Sequence, residues 1–189
     1  EVVLKTFSEN ELDKKHITNE EFLKINLHMC EKAVDFLKRY VRDLIDGTWK
    51  YPVSYDVWEE MDKGIHMYSL ASIFAAFESM LNIYKVLGKN VSDFENNRLK
   101  DEKIHKNIEE IRKLQVEVKN LIDEKLYDEN RKSYVRNSED RRMDISLLGA
   151  VYPFRVFSSK EKKVLNTVEN INLTLRTYTG GYHRYEYDH

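Results

Sequence analysis

The chain has 189 residues, 34% charged and 41% hydrophobic, with a formal net charge of −2. That length supports one domain with a real core and is short for two. A near-neutral balance with no basic patch interleaved with aromatics gives nucleic-acid binding no electrostatic support.

No apolar run reaches the roughly 18 to 20 residues that cross a bilayer, and no charged segment followed by an apolar one opens the chain. Neither membrane nor nucleic acid is therefore expected as a partner. The single Cys30 excludes an internal disulfide framework and fits a small buried thiol on a helix face. It suits a reducing compartment and favours a cytoplasmic location. Neither Glu1 nor the closing run Tyr187-Asp188-His189 reads as a natural terminus, so a single partial domain over 1–189, cut from a larger polypeptide, is expected.

The first helix is predicted from Thr18-x-x-Glu21, a capping-box pattern. Phe22, Ile25, Met29, Ala33, Leu37, Tyr40, Val41 and Leu44 then recur at helical spacing, and Gly47 closes the segment. A second helix over about 65–88 is apolar around nearly its whole circumference, so it is expected to be buried on all sides. A charged connection comes next, from Lys89 to Lys103, containing the common sequon Asn90-x-Ser92. The third helix, over about 104–126, returns to a stripe (Ile104, Ile108, Ile111, Val118, Ile122) and should lie outside. Ser133-Tyr134-Val135 reads as extended, and Asp144 to Gly149 as a brief helix that Pro153 ends. A fourth long helix starts after Ser158-x-x-Glu161, with Val164, Val168, Ile171 and Leu175 on one face. The expected class is mostly α, with buried and half-buried helices suggesting a layered or toroidal assembly.

Chemistry concentrates at Tyr55-Asp56-Val57-Trp58-Glu59-Glu60, where two adjacent carboxylates stand beside an indole just ahead of the most apolar helix. An acid next to a core must find a partner or take up a proton. Such an environment can tune a carboxyl group for general-acid work, which needs Glu59 to project into a cavity where Trp58 and neighbouring tyrosines lower the local dielectric. The bland alternative packs Trp58 at a loop–helix junction with both glutamates in solvent near a helix N-terminus. There each would gain roughly 0.3–1 kcal/mol, and residue type alone favours that alternative. Tyr51, Tyr55 and Tyr68, with Tyr178, Tyr182, Tyr185 and Tyr187 near the end, suit a sugar-binding cleft, since pyranose rings stack on aromatic faces. The six scattered histidines have no ligand spacing with cysteine or each other, so no zinc site is expected. No phosphate-cradling glycine loop calls for a cofactor, and Cys30 has no neighbouring base to make it a nucleophile.

Taken in order, these segments resemble glycoside hydrolase family 15, which contains glucoamylases, glucodextranases and some trehalases. Tyr55 to Glu60 with Gly64-Ile65-His66-Met67-Tyr68-Ser69-Leu70-Ala71 is similar to the family's general-acid segment. Asp144-Ile145-Ser146-Leu147-Leu148-Gly149 with Pro153-Phe154 is similar to its Asp-x-Ser-Leu-Leu-Gly … Pro-Phe stretch. Thr167-Val168-Glu169, Leu175 and the run Gly180-Gly181…Arg184-Tyr185…Asp188 are similar to the family's next segment. The motifs keep their order over about two-thirds of the chain.

The resemblance implies part of an all-α (α/α)6 barrel and inverting, exo-acting hydrolysis of α-glucosidic bonds in glucans or oligosaccharides, releasing glucose. Glu59 would be the general acid. Glu60 would bind sugar on the leaving-group side, Val57 (by its carbonyl) and Trp58 would line the site, and Arg184 would hold sugar hydroxyls. The family's general base and its early Arg-Asp clamp have no counterpart in 1–189, so the chain alone is expected not to hydrolyse glucans. A trehalase is the nearest rival within the class. A catalytically silent barrel used for regulation or binding, and a purely helical interaction domain, are the rivals outside it. A partial barrel is also expected to self-associate through exposed inner-helix surface.

Overall fold

Helical periodicity governs most of the chain, and the computed structural model, which describes residues 19–48, 53–90 and 102–188, is mostly helical. In chain order, α1 (Asn19–Ile45) leads to a hairpin of β1 (Val53–Tyr55) and β2 (Met61–Lys63). Two long helices come next, α2 (Met67–Asn90) and α3 (Glu102–Lys125). A second small hairpin, β3 (Tyr127–Asp128) with β4 (Ser133–Tyr134), precedes a 3-10 helix (Ile145–Ala150) and α4 (Lys162–Thr174). Thr18 of the expected capping box, the charged stretch 91–101 with most of its sequon, and Tyr51 lie outside the described residues, as do the side chains of Phe22, Ile25 and Tyr55.

The chain divides into two compact units, one drawn from Glu1–Tyr40 and Ala76–Lys113, the other from Val41–Ala75 and Leu114–His189. In the first, Val34, Phe77, Met80 and Ile111 are buried beside a polar network. The Lys38 ammonium, only 8% exposed, bonds Asn107 and Glu110 and pairs with Asp35 at 2.6 Å. Tyr84 donates to Glu31 at 3.0 Å and accepts from Asn107 at 2.7 Å. Burial and the Glu31 charge push its phenol well above the ordinary range.

This network corrects the expected face of α1. Met29 and Ala33 are exposed, Cys30 is half-buried rather than buried, and Lys38 lies inside between Val34 and Val41. A lysine supplied with three partners can be buried, and an apolar-periodicity count always places it outside. The burial of α2 is also less complete than its composition predicts: Phe74, Ala75, Ala76, Leu81 and Ile83 are half-buried. Of the expected α3 stripe, Ile111, Val118 and Ile122 are buried, joined by Leu114 and Leu121, while Ile104 and Ile108 are half-buried.

In the second unit, β4 is tied to α4 by the Tyr134 N–H donating to Thr167 Oγ1 at 3.0 Å. The Tyr134 ring stacks on Phe157 at 4.8 Å and meets Tyr127 edge-on at 5.4 Å. The helix start at Ser158-x-x-Glu161 keeps half of a capping box. Glu161 accepts from the Ser158 N–H at 2.9 Å, whereas Ser158 Oγ accepts from Lys160, so Glu161 itself is the N-cap residue.

The segment after β2 is sewn to 136–138. Met67 N–H donates to Arg136 O at 2.9 Å, Ser138 N–H to Ile65 O at 3.1 Å, and Asn137 Nδ2 to Lys63 O at 3.1 Å. Gly64 sits inside this seam at φ 123°, where a Cβ would lie 2.0 Å from Asn137 Oδ1. Gly64→Ala combines backbone strain with a clash and is expected to cost about 3 kcal/mol. Gly47→Ala, at φ 64° with nothing within 4 Å, should cost only about 1 kcal/mol. Urea denaturation of both variants checks the difference, and equal losses would contradict the packing described.

Candidate active site

Residues 56–60 form the five-residue tip of the β1–β2 hairpin, whose register pairs Tyr55 with Met61. An aspartate at the start of a turn can accept from N–H groups further along. Asp56 Oδ1 does so twice, from Trp58 N–H at 2.8 Å and Glu60 N–H at 3.0 Å. The backbone closes the loop, with Asp56 N–H donating to Glu60 O and Glu59 N–H to Asp56 O. Glu59 adopts φ 62°, a left-handed conformation that costs a non-glycine residue roughly 1–2 kcal/mol.

Arg136, with its side chain 2% exposed, is the cation this loop is built around. Its Nη2 donates to Asp56 Oδ2 and, at 3.2 Å, to Glu60 Oε2. Asp140 and Asp144 lie 3.6 Å from its other nitrogens. Burial works against the charge on Arg136, yet Glu60, Asp144, Asp140 and Asp56 together hold its pKa above the usual guanidinium value. Asp144, 1% exposed, accepts from the Trp58 indole N–H at 3.0 Å and from Ser146 N–H at 2.7 Å, where it caps the 3-10 helix. Burial raises its carboxyl pKa in spite of these bonds and of Arg136.

Glu60 is held from both sides. Its Oε1 accepts from Tyr185 OH at 2.8 Å, and Arg184 Nη1 lies 3.8 Å from the same oxygen. The Glu60 bond raises the Tyr185 pKa. Arg136 and Arg142 approach the Tyr185 ring at 4.3 and 4.7 Å from its centroid, within cation–π range. Arg184 is clamped bidentately by Asp188, with both bonds at 2.8 Å, and lies 5.7 Å from the Trp58 ring centroid. That pairing lowers the Asp188 pKa and raises that of Arg184.

The structure thus brings Arg184, distant in sequence, to Trp58 and Glu60 of the loop. Val57 is half-buried in the same loop. Glu59 is exposed at its tip, and among the described residues none bonds its carboxylate. The bland alternative, with both glutamates in solvent, thus holds for Glu59, which is exposed and, among the described residues, not set in a cavity. It fails for Glu60, which Arg136 and Tyr185 hold. Of the tyrosines expected around the carboxylates, Tyr68 instead packs edge-on against Phe154 at 4.9 Å, and it is Tyr185, from the run near the end, that reaches Glu60. Tyr178, Tyr182 and Tyr187 are exposed, with Tyr182 bonded to Asn172. Among the described residues, no group of three His, Cys, Asp or Glu side chains is placed to hold a metal ion, and no helix is long and apolar enough to cross a membrane.

No family model matches the chain. An uncharacterized glycosyl hydrolase of Methanocaldococcus jannaschii is 23% identical over 170 residues, covering 89% of this chain and 24% of the relative. Among solved structures, a glycosidase variant in complex with glucose superposes with a TM-score of 0.54 at 17% identity, covering 72% of this chain and 32% of that one. The wild-type glycosidase gives the same values. The chain is similar to glycosyl hydrolases. It spans about a quarter of the curated relative and about a third of the solved glycosidases, whose fold it shares over that part.

Arg136 belongs to the site although neither residue type nor resemblance points to it. It stands in Ser133-Tyr134-Val135-Arg136-Asn137, every member of which is buried. A lone arginine continuing an extended apolar run is the signal that could have found it, because such a charge is buried only with partners.

Proposed function

We propose that this chain is part of an inverting, exo-acting α-glucosidase, similar to the glucoamylases of glycoside hydrolase family 15 and built on an (α/α)6 barrel. The observation that carries this reading is the contrast between the two adjacent glutamates. Glu60 is locked by Arg136 and Tyr185, while Glu59 stands exposed at the tip of the loop, its carboxylate bonded to none of the described residues. A proton donor to a glycosidic oxygen must be free to reach it, and a binding carboxylate must be fixed. Similarity to glycosyl hydrolases by sequence, and to glycosidases by fold, supports the class.

In this reading Glu59 protonates the departing oxygen of an α-glucan or oligosaccharide. Glu60 binds the leaving-group sugar, the Val57 carbonyl and Trp58 line the site, and Arg184 holds hydroxyls of the glucose being released. Inversion also requires a carboxylate that activates water on the opposite ring face, about 6.5–9.5 Å from the acid. The resemblance assigns that base to no residue of this chain.

The test is proton NMR of the glucose first formed from maltotriose by a polypeptide carrying this chain. β-Glucose should appear before mutarotation. α-Glucose as the first product would contradict inversion, and no glucose from any α-glucoside would contradict the activity.

A further inference from the structure

We propose that Arg136 is a positioning residue for the Trp58-Glu59-Glu60 loop, setting the backbone of Glu59 through Asp56 and the indole of Trp58 through Asp144. The inference deepens the reading of Glu59 as an acid and rests on it. Its structural half stands by itself.

The loop closes on one carboxylate. Asp56 Oδ1 holds the Trp58 and Glu60 N–H groups, and Asp56 Oδ2 is held by Arg136. Glu59 lies between those two N–H groups at φ 62°, a conformation that relaxes unless its neighbours are fixed. Arg136 also fixes Glu60 Oε2 directly. On its other side, Asp144 lies 3.6 Å away and receives the Trp58 indole N–H. One guanidinium thus lies against the carboxylates that hold Trp58 and Glu60, the residues on either side of the proposed acid. Both hydrogen bonds leave from Nη2, while Nη1 and Nε face Asp140 and Asp144 at 3.6 Å; a planar group with three separated nitrogens faces all of these carboxylates, and an ammonium is a single point. Arg136 is buried beneath the loop, whereas Glu59 is exposed, so it acts through its partners and not on a bound sugar.

Two variants test the role. Arg136→Lys keeps the charge and loses the fork. Asp56→Asn keeps an oxygen for both N–H groups and loses the charged partner. The first measurement is amide hydrogen exchange on the purified chain. In both variants the Trp58, Glu59 and Glu60 amides should exchange at least about tenfold faster. The Leu175 amide, buried and bonded to Ile171 O at 2.9 Å, should be unchanged. That control separates local loosening from global destabilisation. Unchanged loop exchange, or equal acceleration at Leu175, would overturn the proposal.

The second measurement compares maltotriose with α-glucosyl fluoride on a polypeptide carrying the chain, because fluoride departs without a proton. Loss of at least about tenfold in kcat on maltotriose alone is expected. Equal loss on both substrates would overturn the link to Glu59. If the unaltered polypeptide turns over neither substrate, the glycosidase reading fails, and the exchange result still decides whether Arg136 positions the loop.

Discussion

Arg136→Met should lower the unfolding free energy by about 3–5 kcal/mol, the range for breaking a buried ion pair from one side. Methionine has comparable bulk and polarizability, so packing alone changes little. The loss comes from the carboxylates left behind: Asp56 is 6% exposed and Asp144 1%. Burial already raises the Asp144 pKa while Arg136 is present. Without the cation, both acids must remain charged with only N–H donors to compensate them, or take up protons. Asp140→Asn is the informative contrast. Asp140 is 22% exposed, and Arg142 is its closer partner at 2.6 Å, so its removal should cost less than about 1 kcal/mol. Urea denaturation of the two variants checks the ratio. A loss below about 1 kcal/mol for Arg136→Met would mean that the loop is held by its backbone bonds alone.

Glu59→Gln should reduce kcat for maltotriose by about 10²–10⁴-fold in a polypeptide carrying this chain, the contribution typical of a positioned general acid. KM should change far less, since an amide of the same size keeps the contacts that a bound sugar makes in the ground state. The fold should be indifferent. Glu59 is exposed and its carboxylate bonds to none of the described residues, so the unfolding free energy should move by no more than about 0.5 kcal/mol. A large activity loss with so small a stability change distinguishes Glu59 from Glu60, whose substitution removes bonds to Tyr185 and Arg136 and should affect both. Steady-state kinetics beside a denaturation curve decide the comparison.

Legibility in the sequence depends on which signals are local. Helical periodicity and turn residues act within a few positions, so all four long helices can be placed from sequence to within a few residues. The brief helix after Asp144 and the extended piece at Ser133 are legible for the same reason. The β1–β2 hairpin is not. Its strands are three residues each, too short for an alternation pattern, and its turn is organised by Asp56 rather than by an Asn-Gly or Gly-Gly pair. The inward turn of Lys38 on α1 is hidden as well, because its partners Asn107 and Glu110 lie on another helix.

The site shows the same division. Trp58, Glu59 and Glu60 stand out by residue type and by resemblance, Arg184 by resemblance alone, and the structure brings Trp58, Glu60 and Arg184 into one cluster. Arg136 and the Tyr185 bond to Glu60 depend on pairings across 76 and 125 positions, which no local pattern carries. The hairpin explains why an acid pair sits so near the apolar α2. It leaves Glu59 exposed and gives Glu60 to Arg136 and Tyr185, and Arg136 also supplies the charge that lets Asp56 and Asp144 lie inside.

The central claim, that Glu59 delivers the proton to the leaving oxygen, is tested most directly by the leaving-group dependence of Glu59→Gln. Maltotriose needs its departing oxygen protonated, and α-glucosyl fluoride does not. Comparing kcat/KM for the two substrates in the variant and the unaltered polypeptide isolates that step. The expected result is a loss of about 10²–10⁴-fold on maltotriose with less than about tenfold loss on the fluoride. Equal losses on both substrates, or full activity on maltotriose, would contradict the assignment of Glu59 as the acid.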